Sequence, residues 1–128
     1  MKSRDTKPEL YLQEALANLE ISYELHVASL PGTPDIAIAT HKIAIYVHGC
    51  YWHRHQYCGL KKNPVVRSPQ WAQTFNQIVL RDVETQKAIA QLGWDYFVAW
   101  ECEILESPLD QALLIFKLMK KRESQGTQ

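Results

Sequence analysis

The sequence predicts one α/β domain in which helices flank a central mixed β-sheet. The chain has 128 residues and a hydrophobic content of 46%, which is enough to bury one core but not two. Two short runs, at residues 43–47 and 96–100, are apolar at every position. Such runs are typical of strands that are covered on both faces. Between them, the periodic apolar pattern of residues 70–92 predicts a long helix.

Local signals give the other elements. Thr6 and Glu9 have the spacing of a capping box at the start of a helix. Residues 21–27 alternate as in a half-buried edge strand, with Leu25 on the buried face and His26 on the opposite face. In chain order, the sequence predicts a helix from Thr6 to residues 18–20, strands at 21–27, 36–39 and 43–47, a helix at 70–92, a strand at 96–100 and a helix at 109–121.

The sequence also predicts the turns and ends of these elements. Residues 30–35 contain the turn formers proline, glycine and aspartate, and Gly93 should end the long helix. The sequence contains no internal repeat and no interdomain linker. We therefore expect one domain at residues 1–122, followed by a polar tail at 123–128.

Composition bounds the function. The net charge is zero and the pI is about 7.0, so the charge of the whole chain does not indicate a polyanionic partner. The sequence shows no secretory segment and no apolar stretch long enough to span a membrane. We therefore expect a cytoplasmic protein with no membrane partner, in which cysteines are reduced or bound to metal.

The most informative segment directly follows the first apolar run. Between Tyr46 and Cys58 it contains His48, Cys50, Tyr51, Trp52, His53, Arg54 and His55. Thiolate and imidazole groups are the usual ligands of structural zinc, which takes four of them in a tetrahedron.

A complete zinc ligand set is available. Cys50, His55 and Cys58 supply three ligands, and Cys102, the third and last cysteine, follows the second apolar run. A structural zinc ion bound by these four residues would join the ends of two strands. The alternative is that the cysteines are small buried apolar groups and the histidines are solvated.

Two carboxylates also require an explanation. On the long helix, Asp82 lies on the same stripe as Phe75 and Ile78, and a carboxylate aimed into the core is costly unless it is paired. The histidines after the central strand are candidate partners, and a structural bond to arginine or backbone is the alternative. Asp35 precedes a strand, where a carboxylate can hold Mg²⁺, although a Pro-Asp pair is more often only a turn.

These motifs, in this order, resemble the very short patch repair (Vsr) endonucleases, a branch of the PD-(D/E)XK nucleases with a restriction-endonuclease-like fold. The resemblance covers residues 3–102. The matching segments are Arg4-Asp5-Thr6 with Glu9, Leu30-Pro31-Gly32-Thr33-Pro34-Asp35, Val47-His48-Gly49-Cys50-Tyr51-Trp52-His53, Arg81-Asp82, Leu92-Gly93-Trp94 and Trp100-Glu101-Cys102.

The resemblance implies a catalytic site. Asp35 is implied as the ligand of catalytic Mg²⁺, together with the backbone carbonyl of Val47. His53 is implied as the base that activates water and His48 as a group at the reacting phosphate. Asp82 would orient these imidazoles. Glu9 would bind a water on the metal, although a capping role alone would also explain it.

The resemblance also implies a substrate, which is double-stranded DNA with a T:G mismatch, nicked in one strand by a monomer. Tyr51, Trp52 and Trp71 match aromatic positions that wedge into the base stack, where insertion costs least at a mispair. A core role is the alternative for both tryptophans. Nearby, Arg54, Lys61 and Lys62 add local positive charge for phosphate contact. The zinc ligands that the family implies are the four named above.

The sequence departs from the family pattern at three places. Two residues, Gln56 and Tyr57, separate the histidine and cysteine of the zinc motif where the family has one. Thr74 and Ile78 replace a usual lysine and asparagine on the long helix, which predicts altered or weakened sequence readout. Only three residues precede the Arg4 motif, where the family carries an arm, so a weaker grip on DNA is expected. Two alternatives stay open: a PD-(D/E)XK nuclease of other, restriction-type specificity, and an inactive DNA-binding module held by zinc.

Overall fold

The computed structural model describes residues 6–49 and 69–126. Its strands are β1 (Glu24–Leu25), β2 (Ile36–Ile38), β3 (Ile43–His48) and β4 (Asp95–Trp100). Its helices are α1 (Lys7–Asn18), α2 (Pro69–Gln91), α3 (Glu101–Glu106) and α4 (Pro108–Gly126). The predicted architecture, a central mixed sheet with flanking helices, is confirmed.

The four strands form one sheet in the order β1-β2-β3-β4. The first two neighbouring pairs are antiparallel, with Ile36 opposite Ile45 in the second pair. β3 and β4 are parallel, and their register ends with His48 opposite Trp100. Because parallel strands end at the same edge of a sheet, the residues that follow β3 and β4 start from neighbouring positions.

Helices cover both faces of β3, as its uninterrupted apolar run predicts. Ile43, Ile45 and Val47 belong to the larger core, which they share with Leu12 of α1 and Ile115 of α4. Side chains alternate along a strand, so the intervening residues face the other way. Among these, Ala44 and Tyr46 pack with Ile89 of α2 in a smaller core. β3 is therefore buried along its whole length, as is the shorter strand β2.

Strand β4 differs from the sequence prediction. Residues 96–100 were expected to be buried on both faces, but Ala99 is the only buried residue of β4. In the described part of the sheet, β4 is an edge strand. Composition signals that a segment is apolar but does not give its place in the strand order, which explains the error.

The strand predicted at residues 21–27 is also shorter than expected. Only Glu24–Leu25 pairs with β2, and Leu25 is exposed rather than buried. His26 has a φ of +48°, in the left-handed region, which ends the regular alternation. The prediction that His26 lies on the solvent face is therefore wrong, and its side chain is half-buried.

The C-terminal helical region begins earlier and ends later than the predicted helix at 109–121. The short helix α3 was not predicted, and Ser107 separates it from α4, where its hydroxyl accepts a hydrogen bond from the Asp110 amide at 3.2 Å. α4 continues to Gly126. In its last turns, Arg122 pairs with Asp95 at 2.9 Å and Glu123 pairs with His41 at 2.7 Å.

The turn before β2 packs tightly against its neighbours. The Tyr46 hydroxyl donates a hydrogen bond to the Pro31 carbonyl at 2.6 Å. Gly32 has a φ of +70°, and a Cβ built there would lie 2.7 Å from the Thr85 Cγ2 atom of α2. Glycine is therefore required at this position for its conformation and for its size. The turn holds Asp35 at the start of β2.

Gly32→Ala should destabilise the fold more than Gly93→Ala, which is the matched control. Both glycines have a positive φ, but no described atom lies within 4 Å of a Cβ at Gly93. The control should lose only the backbone cost of about 1–2 kcal/mol. Gly32→Ala should lose about 1–3 kcal/mol more, because of the contact with Thr85. Urea unfolding of the two variants measures the difference, and equal losses would contradict the tight packing of the turn.

Candidate active site at the end of the sheet

Asp35 is the residue around which the candidate site is built. It directly precedes β2, is only 5% exposed, and its Oδ2 atom accepts a hydrogen bond from the Val47 amide at 2.7 Å. The antiparallel register that sets Ile36 opposite Ile45 brings the two residues together. A carboxylate that accepts a backbone N–H is held in a defined orientation by a strong, charge-assisted bond. Asp35 therefore lies at a fixed position where β2 begins and β3 ends.

Two further side chains converge on Asp35. One ligand atom from each of Glu9, His26 and Asp35 lies within 4.8 Å of the other two. Glu9 comes from the first turn of α1 and is completely buried, and His26 directly follows β1. The three residues come from separate elements, so their meeting is a property of the tertiary fold.

His26 is the member of this group that the sequence analysis missed. Its amide donates a hydrogen bond to the Asp35 carbonyl at 3.0 Å, and the Val27 amide donates one to the Pro34 carbonyl at 3.2 Å, so the backbone pairing continues beyond β1. Local alternation predicted that His26 faces solvent, and no local signal indicates its left-handed backbone. The pairing of β1 with the start of β2 is what reveals its place beside Asp35.

The structure also bears on the two explanations of Glu9. Within the described residues, the Thr6 side chain makes no capping hydrogen bond to α1, so the capping box is incomplete. Glu9 is buried beside His26 and Asp35 rather than folded back along an exposed first turn. A buried carboxylate is costly unless it has partners of opposite charge, hydrogen-bond donors or a metal ion. The position of Glu9 therefore fits a site residue better than a helix cap.

His48 and Asp82 form a second pair next to this group. His48 is the last residue of β3 and its Nε2 atom lies 3.8 Å from the Asp82 Oδ1 atom of α2. The ring of Trp100 meets the His48 ring edge-on, with the centroids 5.2 Å apart. The structure thus places Asp82 close to one of the expected histidines. Its side chain is 26% exposed, however, so it borders the core rather than pointing into it.

Two neutral tyrosines, Tyr46 and Tyr96, lie close to His48, whose ring centroid is 6.4 Å from that of Tyr46. The rings of Tyr46 and Tyr96 lie 4.8 Å apart. Burial raises the pKa of Tyr46 far above its ordinary value, and the proximity of Tyr96 and Asp35 raises it further. Burial likewise raises the pKa of Tyr96, with a further contribution from Asp82. Neither phenol ionises in the range where imidazoles titrate, so Tyr46 keeps the proton that it donates to Pro31.

One of the four expected zinc ligands is described. Cys102 lies in the first turn of α3, directly beyond β4, and is 8% exposed. Trp100, at the end of β4, pairs with His48, the last residue of β3, and Cys50 is two residues beyond His48 in the sequence. Those ligands, Cys50, His55 and Cys58, lie outside the described residues.

Other predicted site residues also lie outside the described residues. They are Tyr51, Trp52, His53, Arg54, Lys61 and Lys62, together with the extra pair Gln56 and Tyr57. Trp71 belongs to α2. On the same helix, the Thr74 hydroxyl donates a hydrogen bond to the Gln70 carbonyl at 3.1 Å, so it is engaged with its own backbone.

The Glu9, His26 and Asp35 group has the chemistry of a cation site. Carboxylate oxygens suit Mg²⁺ and Mn²⁺, and an imidazole nitrogen suits first-row transition ions. The neighbouring His48 and Asp82 pair can hold a proton or contact an anion. A cation site next to a buried histidine is suited to the hydrolysis of a phosphate ester.

Comparison with known proteins gives the same class. The sequence model of the family described as DNA mismatch endonuclease Vsr matches residues 1–59. The Type II nicking enzyme V.XorIIP of Xanthomonas oryzae pv. oryzae is 34% identical over 104 residues, which cover 81% of this chain and 76% of that protein. The DNA mismatch endonuclease Vsr of Escherichia coli strain K12 is 34% identical over 113 residues, covering 87% of this chain and 72% of the relative. The chain belongs to the Vsr family.

Family membership confirms the resemblance drawn from the motifs and the expectation of an endonuclease that hydrolyses DNA. A third Vsr relative, the Type II nicking enzyme V.HpaIIP of Haemophilus parainfluenzae, is 30% identical over 94% of this chain and 86% of its own length. In the part of the chain that the structure describes, no helix combines the length and apolarity needed to cross a membrane.

Asp82→Asn tests whether the carboxylate positions His48. The amide keeps the shape of the side chain and removes the negative charge 3.8 Å from Nε2. The single-turnover rate, measured on a DNA duplex that the unchanged protein cleaves, should fall by about 10- to 100-fold, the range seen when a group that orients an active-site histidine is lost. Glu84→Gln, which removes an exposed carboxylate from the same helix, is the control and should leave the rate unchanged. Equal rates for both variants would contradict a positioning role.

Proposed function

We propose that this protein nicks one strand of double-stranded DNA beside a T:G mismatch by hydrolysing one phosphodiester bond with the help of Mg²⁺ and histidine. The observation that carries the proposal is the buried Asp35 carboxylate, which accepts a hydrogen bond from the Val47 amide at 2.7 Å and lies close to Glu9. His48 directly follows Val47 in β3. The Vsr relatives include a protein named as a mismatch endonuclease and several named as nicking enzymes.

The residues around Asp35 fit a divalent cation. Asp35 would bind Mg²⁺ directly, and Glu9 would bind it directly or through a water. The N–H and C=O of one strand residue point to the same side, so the Val47 carbonyl is directed towards the side on which its amide meets Asp35. When bound, Mg²⁺ would neutralise charge on the phosphate and lower the pKa of a bound water.

The histidines supply proton transfer and phosphate contact. His48, held between Asp82 and Trp100, would donate a hydrogen bond to the reacting phosphate. His53, which follows it in the sequence, would take the proton from the attacking water. Uncatalysed cleavage of phosphate esters is among the slowest reactions known, so the site must lower the barrier by on the order of 20 kcal/mol.

Mismatch selection would depend on aromatic insertion. Tyr51, Trp52 and Trp71 would enter the base stack, which is weakest at a mispair. The basic residues Arg54, Lys61 and Lys62 would contact phosphates. Thr74 bonds to its own helix, so it lacks the reach of the lysine that the family carries there, and a relaxed sequence preference follows.

A structural zinc site is part of the proposal. Cys50, His55, Cys58 and Cys102 would bind the ion, and the burial of Cys102 beyond β4 supports a ligand at that place. The parallel pairing of β3 and β4 supports the idea that the ion joins the segments after both strands. We further propose that the endonuclease domain, expected at residues 1–122, extends to the end of α4 at Gly126, and that it acts as a monomer in the cytoplasm.

Cys102→Ser tests the zinc site. Serine is a poor zinc ligand, so metal analysis of the purified variant should show the loss of a zinc ion that the unchanged protein retains through dialysis. The thermal unfolding midpoint should fall at the same time, because metal binding contributes to folding. An unchanged zinc content would remove Cys102 from the ligand set.

Asp35→Asn is the sharpest test of the proposed reaction. The amide oxygen can still accept the hydrogen bond from Val47, but the charge that binds the cation is lost. With Mg²⁺ and an end-labelled duplex carrying a T:G mismatch, nicking should fall by about a thousandfold or more while DNA binding is retained. Asp95→Asn, which changes a carboxylate at the opposite end of the sheet, should nick normally.

The matching T:A duplex separates the remaining alternatives. Cleavage of the mismatched duplex alone, lost in Asp35→Asn, is the expected result. Equal cleavage of both duplexes would indicate a nuclease of other, restriction-type specificity. DNA binding without cleavage in the unchanged protein would contradict the proposed reaction and favour a DNA-binding module held by zinc.

A further inference from the structure

We propose that His26 is a third protein ligand of the cation at Asp35 and that it gives this site a preference for a divalent first-row transition ion over Mg²⁺. The inference rests on the proposed function, because it concerns the same metal site. It adds a nitrogen ligand to a site otherwise made of oxygen atoms.

The convergence of three donor atoms is the first argument. One ligand atom from each of Glu9, His26 and Asp35 lies within 4.8 Å of the others. With bonds of about 2.1 Å, two ligands of an octahedral ion are about 3.0 Å apart when adjacent and about 4.2 Å when opposite. The separation of the three ligand atoms, at most 4.8 Å, is only slightly larger than the roughly 4.2 Å between opposite ligands. Small side-chain movements would therefore bring all three atoms into one coordination sphere.

The backbone of His26 is the second argument. Its φ of +48° is uncommon for a residue other than glycine, and it coincides with the hydrogen bond from the His26 amide to the Asp35 carbonyl at 3.0 Å. Such conformations are strained and cluster at active sites and ligand clamps. The turn at His26 interrupts an edge strand at the residue that reaches Asp35. The left-handed backbone of His26 thus occurs at the same residue whose side chain approaches Asp35.

The chemistry of the donors indicates the class of ion. Mg²⁺ prefers oxygen ligands and keeps several of its waters, whereas imidazole binds later first-row ions well. Two carboxylates and a neutral imidazole resemble the mixed ligand sets of transition ions in hydrolytic sites. His26 should therefore matter more for binding first-row transition ions than for binding Mg²⁺, and Mn²⁺, the weakest binder of that series, sets the lower limit of the effect.

Mn²⁺ is the probe for the experiment, because its electron paramagnetic resonance signal reports binding without any catalysis. The full-length protein, His26→Asn, His41→Asn and Asp35→Asn are titrated with Mn²⁺ in the absence of DNA. Asparagine tolerates the left-handed backbone, so His26→Asn should fold normally. His41→Asn removes another half-buried imidazole, from the turn after β2, and serves as the matched control. Pulsed measurements on each complex detect a bound imidazole through the modulation by ¹⁴N.

The expected result is specific to His26. His26→Asn should weaken Mn²⁺ binding by about tenfold or more and remove the ¹⁴N modulation, since even the loss of a group behind a metal ligand has such an effect on affinity. Mg²⁺ affinity, measured by competition with Mn²⁺, should change by less than about threefold. The control variant should match the unchanged protein in both readouts.

Other results would overturn the inference in distinguishable ways. Unchanged Mn²⁺ affinity and ¹⁴N modulation in His26→Asn, with binding lost in Asp35→Asn, would reject His26 as a ligand and leave the proposed function intact. A lower unfolding free energy with unchanged Mn²⁺ binding would make His26 a structural residue only. If Asp35→Asn bound Mn²⁺ as well as the unchanged protein, both the inference and the proposed metal site would fail.

Discussion

The hydrogen bond from the Val47 amide to the Asp35 carboxylate lies just before the start of β2, where β3 extends beyond the paired part of β2. Without a partner strand at this point, the buried amide needs an acceptor, and the side chain of Asp35 supplies it at 2.7 Å. The bond fixes the direction of a buried charge. Glu9 and His26 then meet that charge from α1 and from the end of β1. The candidate metal site therefore depends on an acceptor that the sheet itself requires.

The rest of the fold holds this end of the sheet in place. In the turn before Asp35, the Pro31 carbonyl accepts a hydrogen bond from Tyr46 of β3, and Gly32 packs against Thr85 of α2. These contacts with α2 and β3 fix the position at which β2 begins. The parallel pairing of β3 with β4 brings His48 next to Trp100, and α2 carries Asp82 to within 3.8 Å of the same imidazole. A cation site and a histidine pair thus share one edge of the sheet.

The sequence predicted the parts of the fold that are encoded locally or in ordered motifs. The uninterrupted apolar run predicted the buried strand β3, and the family resemblance led to Asp35 and His48 as candidate site residues, which the structure places at the start of β2 and at the end of β3. The expected cost of burying a charge predicted a partner for Asp82, and the structure places it 3.8 Å from His48, although its side chain borders the core. His26 could not be predicted, because its role depends on the pairing of β1 with β2 and on a left-handed turn. The edge position of β4 was missed for a similar reason, since strand order is a tertiary property.

Diffraction from Mn²⁺-soaked crystals would show whether Asp35, Glu9 and His26 surround one cation. Anomalous scattering locates the ion without assuming its ligands. We expect an anomalous peak at bonding distance from the Asp35 carboxylate, with the His26 nitrogen and Glu9 or its water in the same coordination sphere. Mn²⁺ found only at other carboxylates, with none beside Asp35, would contradict it.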